Sequence, residues 1–361
     1  MRWTWLGLCV GLWSFAAQAE LPEAWDPELA LRRLSLDACG RSPTPLERQT
    51  GITEAGLKEV LDGCLRSEHW IGKDGVLWSL AHPKIRPLQA IKSGEDAGSI
   101  PLADYEDDYN LFVYTHFGDR DAREVLTANY VVRRVDEPST QYTAISSSTL
   151  EELSRGASVA QLVQPERRAG MLTTRWNLAS NTMFTAIPRT TAAQAYRAWL
   201  GYDLSRYEGL FPVQGEPIDY DAKDVKPAAC AVCHSTLDPL TYPFAHYNGI
   251  GGGSPGGVSY RYELSRPGRF QATDGPLVGE TPEFGYLMGS PVADLVEWAR
   301  VAADSEAFAR ASAADLWGHF LKRPPEGPEF EEVWRRFVQV HEYRVDALVW
   351  DIVRTEAYGG F

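Results

Sequence analysis

Methionine and cysteine are scarce, with four and five residues in 361. No apolar run reaches the roughly 18 residues that a transmembrane helix needs, so none of the chain after the first residues is expected to span a bilayer. Positive charge is also short: 35 Lys and Arg face 49 Asp and Glu, for a net charge of −14. That balance opposes binding to nucleic acid or to an anionic membrane surface. The biases of collagen-like, low-complexity and disordered chains are missing as well, since hydrophobic residues make up 44% and charged residues 23%. What remains is an ordinary globular composition, long enough for two or three compact units.

The first residues read as an address. Arg2 gives a positive start, Trp3 to Phe15 is mostly apolar, and Ala17-Gln18-Ala19 has the small-x-small pattern of a cleavage site, which predicts a signal peptide over 1–19. Lipidation at Cys9 is disfavoured, because Leu8 stands where a small residue is needed and the cysteine lies within the apolar stretch. Export predicts a soluble mature chain in the periplasm or outside the cell, where cysteines meet an oxidising environment.

Four cysteines then remain, and they form two unlike pairs. Cys230-Ala231-Val232-Cys233-His234 has the attachment pattern of a c-type haem: two thiols add across the haem vinyl groups, and the adjacent imidazole is directed to the iron. This composition would generate the pattern by chance about 0.001 times per chain. The competing readings are a redox dithiol and a zinc corner. The first wants a strand before the motif and a helix after it, whereas Lys226-Pro227-Ala228-Ala229 and Leu237-Asp238-Pro239-Leu240 look like loop and short helix. The second needs two further ligands, and no second motif supplies them. Cys39 and Cys64, at the ends of short helical patterns, are either a disulfide, the favoured reading for an exported pair, or two buried thiols.

Helical periodicity dominates the rest. Leu57, Val60, Leu61, Cys64 and Leu65 recur on one face, as do Leu295, Trp298, Ala299 and Ala302. Phe330, Val333, Trp334 and Phe337, then Val345, Leu348, Val349 and Ile352, predict two more amphipathic helices that part near Glu342-Tyr343. Strand patterns are confined to 130–134, 258–263 and 269–273, the last two around Pro267-Gly268. The fold class is therefore mostly α and multi-helical, with a cytochrome c-like haem-binding region and a small β-hairpin insertion. Segments 20–90, 91–220 and 221–361 are the expected N-terminal helical part, middle helical part and haem-binding region with terminal helices. Glu106, Asp107 and Asp108 read as a solvated helix start. The Gly249–Gly257 stretch has neither the strand nor the lysine of a phosphate loop and reads as a flexible loop beside the haem.

Around the motif, Leu237, Asp238, Pro239, Leu240, Phe244, Tyr247, Ile250 and Gly251 resemble a secreted bacterial cytochrome c-like family, the planctomycete-type cytochrome domains of unknown function. Asn248 departs from it, an aspartate being usual there. Looser likeness extends over most of the mature chain, through 31–45, 126–130, 168–173, 308–323 and 348–358. The resemblance implies haem but carries no established activity.

One covalent haem c per chain would leave the sixth iron position to be filled. Met288, beside Gly289 and Pro291 and downstream of the motif, is the first candidate; Met183, His246, and an open or water-filled position follow, while Met171 reads as core. Arg189 and Arg175 could hold the haem propionates, with plain surface charge as the alternative. His69, His82, His116, His319 and His341 lack ligand spacing and read as surface or satisfied histidines. The leading expectation is a soluble one-electron carrier whose acidic surface favours a basic redox partner. Alternatives are a haem-dependent oxidoreductase and a haem-containing sensor or binding protein, and catalytic residues are not assignable.

Overall fold

A computed structural model describes residues 25–85, 106–135, 138–146, 163–174, 177–178, 189–204, 236–250, 258–262 and 283–360. Short helices come first among the described residues: α1 (Pro27–Cys39), α2 (Pro45–Thr50), α3 (Glu54–Cys64), α4 (Glu68–Ile71) and α5 (Val76–Ile85). Asp26 accepts from the Glu28 and Leu29 N–H groups to start α1, and Gly40, at φ 66°, ends it in the left-handed conformation that glycine tolerates. Thr44 and Glu47 form a reciprocal capping box ahead of α2, with Pro45 setting its first φ.

The middle holds α6 (Asp107–Thr115), α7 (Glu124–Thr127), the hairpin β1 (Val131–Arg134) and β2 (Tyr142–Ile145), and α8 (Arg189–Leu200). Downstream come β3 (Tyr247–Ile250), β4 (Val258–Tyr262), β5 (Gly285–Leu287) and β6 (Ser290–Val292). Last are α9 (Leu295–Ala303), α10 (Glu306–Leu321), α11 (Pro328–Gln339), α12 (Val345–Val353) and α13 (Glu356–Gly359). The fold is mostly helical.

The apolar faces expected for α3, α9, α11 and α12 are the buried ones. The turn between α11 and α12 falls at the expected place, with Glu342 and Tyr343 at φ 50° and 62°. Buried residues from all three sequence segments belong to one continuous core. The two ends of the described chain meet: Asp26 N–H donates to Gly359 at 2.7 Å and the Trp25 indole donates to Val353 at 3.1 Å. Gly359 is required there, because a Cβ would lie 1.9 Å from the Trp25 indole nitrogen. Cys39 and Cys64 are disulfide-bonded, with their Cα atoms 4.7 Å apart, and tie the end of α1 to that of α3.

Three expectations need correction. The described residues contain three two-stranded antiparallel sheets rather than one hairpin, and β4 pairs with β3, Tyr247 opposite Tyr262. The expected partner at 269–273 lies outside the described residues, and Gly249 and Ile250 belong to β3 rather than to a loop. The acidic run is not solvated throughout: Asp107 and Asp108 are 3% and 1% exposed. α6 packs its N-terminus against β1 and the 3-10 turn Gly170–Thr173, where the Thr174 hydroxyl donates to Asp108. Glu106 pairs with Lys73 at 2.8 Å and Arg134 at 3.0 Å.

Candidate cofactor site

Cys230, Cys233 and His234 lie outside the described residues, as do Met183 and Arg175. The described chain resumes at Thr236 and makes two consecutive 3-10 turns, Asp238–Leu240 and Tyr242–Phe244. Pro239 and Pro243 are the second residues of these turns, where a fixed φ is already suited and no N–H is lost. Thr241 closes the first turn: its N–H and hydroxyl both donate to the Asp238 carbonyl at 2.8 Å.

Asp238 is 2% exposed and receives a two-pronged contact from Arg189, Nε to Oδ1 at 2.6 Å and Nη2 to Oδ2 at 2.8 Å. Such a fork sets both distance and plane. Arg189, read from the sequence as a propionate partner or plain surface charge, thus anchors the segment after the Cys230–His234 motif to the start of α8. Phe244 sets its ring edge against Trp298 of α9 at 5.2 Å. The Trp298 indole donates to the Tyr196 hydroxyl at 3.3 Å, and that hydroxyl donates to the Tyr286 carbonyl in β5 at 3.2 Å. Burial pushes the Tyr196 phenol well above its ordinary value, so it stays a neutral donor.

β5 lies directly on the two turns. A Cβ at Gly285 would come within 2.4 Å of the Pro239 carbonyl and 2.6 Å of Pro243, so only glycine permits this approach. The strand leads to a two-residue turn in which Met288 and Gly289 both have positive φ, 47° and 94°. That is the geometry of a tight hairpin, where Asn-Gly is favoured. Met288 is 45% exposed at this tip. Met171, by contrast, is 3% exposed in the Gly170–Thr173 turn, in keeping with a core residue.

His246 is buried against the Tyr262 ring, centroids 5.7 Å apart. Beside it the Tyr247 hydroxyl donates to the Arg167 carbonyl at 2.7 Å, and the Arg167 guanidinium stacks over Tyr262 at 4.4 Å. Arg167 also pairs with Glu283 at 3.1 Å and Asp294 at 3.3 Å. Burial, with Glu283 accepting from its hydroxyl, pushes Tyr262 up to about 12. These charged and phenolic groups clamp the hairpin. Among the described residues no cluster of three or more His, Cys, Asp or Glu is placed to hold a metal ion.

The other histidines behave as expected. His82 bonds the Tyr109 hydroxyl at 2.8 Å, His319 the Asp37 carbonyl at 3.2 Å and His341 the Asp351 carboxylate at 2.6 Å, while His69 is exposed. His116 is buried, and burial lowers its pKa to about 3. Tyr196 and Gly285 escape sequence reasoning, since an isolated tyrosine and an isolated glycine carry no spacing pattern. No family model, curated protein or solved structure matches the chain.

Proposed function

We propose that the protein is an exported single-haem c-type cytochrome that passes one electron between partners. One observation carries this reading: the Cys230-Ala231-Val232-Cys233-His234 pentapeptide, whose thiols and imidazole are the donor set of covalent haem attachment. The described flank is compatible with that group. It is pinned by the Asp238–Arg189 fork and the two proline turns, and it packs beside a hairpin that presents a partly exposed methionine at its tip.

Cys230 and Cys233 would hold haem c covalently and His234 would ligate its iron. Met288 would be the second ligand, because it is 45% exposed at the hairpin tip while Met171 is buried. When bound, the group supplies a one-electron iron couple, and a thioether ligand raises its potential. On the downstream side, the Asp238–Arg189 fork and the two proline turns fix the backbone. Export is part of the proposal and is compatible with the Cys39–Cys64 bridge. So is the likeness to the planctomycete-type cytochrome family, which rests on the motif and its flank.

Expression together with cytochrome maturation machinery tests the reading. Denatured, acid-acetone-extracted protein should keep its colour, and Cys230→Ser with Cys233→Ser should lose it. A sulfur-to-iron charge-transfer band abolished by Met288→Ala but not by Met183→Ala would support the ligand choice. A high-spin form that binds carbon monoxide or peroxide rapidly would instead favour a haem-dependent oxidoreductase. That second reading is motivated by length, since 361 residues far exceed the roughly 100 that an electron carrier needs.

A further inference from the structure

Both half-cystines of the Cys39–Cys64 bridge line one cavity of about 400 Å³ between α2 and α3. Leu46 and Thr50 of α2 form one wall, Val60 and Gly63 of α3 the other. α2 is a light cover. None of its six residues is buried, Leu46 is 66% exposed, and a fork from Arg41 to Glu47, at 2.6 and 2.8 Å, ties the helix down. The opposite wall is open at Gly63, where an added Cβ would meet no atom within 4 Å. The two sulfurs are not equally reachable, because Cys64 is 2% exposed within the core while Cys39 is only partly buried. Ser67 also lines the cavity, and its N–H donates to the Cys64 carbonyl at 2.9 Å. Its hydroxyl makes no capping bond to α4 and is buried without a partner. A buried donor of that kind is costly until an acceptor reaches it.

We propose that the cavity between α2 and α3 is a redox modification site, at which a small thiol enters and attacks Cys39 Sγ while the chain stays folded. The entering thiolate forms an S–S bond to Cys39 as the Cys39–Cys64 bond breaks, and the electron pair of that bond leaves on Cys64. Cys64 departs as a thiolate that accepts from the Ser67 hydroxyl and then takes a proton from water. The products are a mixed disulfide at Cys39 and a reduced Cys64, with the entering sulfur oxidised in exchange. A dithiol completes the reaction: its second thiolate attacks its own sulfur in the mixed disulfide, closes a disulfide of its own and releases Cys39, so two electrons pass to the protein. Charge narrows the class of thiol. Glu47 balances Arg41 on the lining and leaves Glu59 over, which favours an uncharged or cationic thiol over an anionic one. A disulfide closed in on all sides is reduced only when the surrounding structure opens. The inference is independent of the haem reading.

The test treats the full chain with 2-mercaptoethanol, an uncharged monothiol, quenches with iodoacetamide and weighs the peptides that contain Cys39 and Cys64. The adduct should sit on Cys39 and the carbamidomethyl group on Cys64. The rate should stay flat in urea below the unfolding transition, because no surface is exposed before the attack. Gly63→Leu narrows the opening and replaces a helix glycine with a better helix former, so it should slow the reaction about tenfold without lowering the urea midpoint. Ser67→Ala should slow it about threefold by removing the donor to the leaving thiolate. An adduct on Cys64, or a rate that climbs with urea in step with the unfolded fraction, overturns the proposal. So does a Gly63→Leu chain that reacts as fast as the unsubstituted one. The first two readouts need no substitution, so they decide the matter even if a variant fails to fold.

Discussion

Asp238 illustrates how a residue can be visible in a sequence while its role is not. It stands in the segment after the attachment motif, but its partner Arg189 is 49 positions away and their meeting depends on how α8 packs. Removing the guanidinium would leave a carboxylate at 2% exposure without its fork, and breaking such a buried pair costs about 3 kcal/mol. Arg189→Ala should lower the urea midpoint accordingly, with Arg189→Lys recovering only part because it lacks the fork. Asp346 offers a pH handle. Burial raises its carboxyl to about 6, Oδ2 accepts from Gly118 N–H at 3.0 Å, and Oδ1 is buried without a partner. The folded chain therefore holds this proton more tightly than the unfolded one: the contribution to stability is full below about pH 4 and is lost as pH rises through 6. Asp346→Asn should stabilise the protein by about 2 kcal/mol at pH 7.5 and by almost nothing at pH 3.5, as read from denaturant unfolding at both pH values. His116 should show no NMR titration above pH 5, because burial holds its imidazole neutral.

At the scale of elements, the helices were legible because a 3.6-residue apolar period needs only a core to face. The strands were less so. The 258–263 pattern was read correctly as a strand, but its partner, Tyr247–Ile250, contains glycine and asparagine and has no alternation to reveal it. Burial of Asp107 and Asp108 was equally hidden, since an acidic helix start looks the same whether it faces water or a threonine on another turn. The disulfide is a further element-scale device. It closes a loop of 25 residues across α1, α2 and α3, and on the chain-entropy account it stabilises the fold by about 3.5 kcal/mol. Mild reductant should lower the unfolding free energy by that amount, and Cys39→Ser with Cys64→Ser should reproduce the loss.

At the scale of the whole molecule, the two ends of the described chain close on each other through Trp25, Val353 and Gly359, so a change at the C-terminus should be felt by the first helix. Gly359→Ala would drive a methyl group into the Trp25 indole and should free α1 early in native-state hydrogen exchange. If the chain carries electrons as proposed, its net charge of −14 should make the rate with a basic partner fall steeply as salt rises from 20 to 200 mM, measurable by stopped flow. The sequence by itself determined the helical character, the buried faces and the chemistry available at 230–234, because local periodicity and covalent reactivity are properties of neighbours along the chain. Tertiary structure alone decided that Arg189 clamps Asp238 and that Gly285 lets β5 lie on Pro239. Those contacts join residues tens of positions apart, and close packing in three dimensions, not sequence spacing, selects which of them meet.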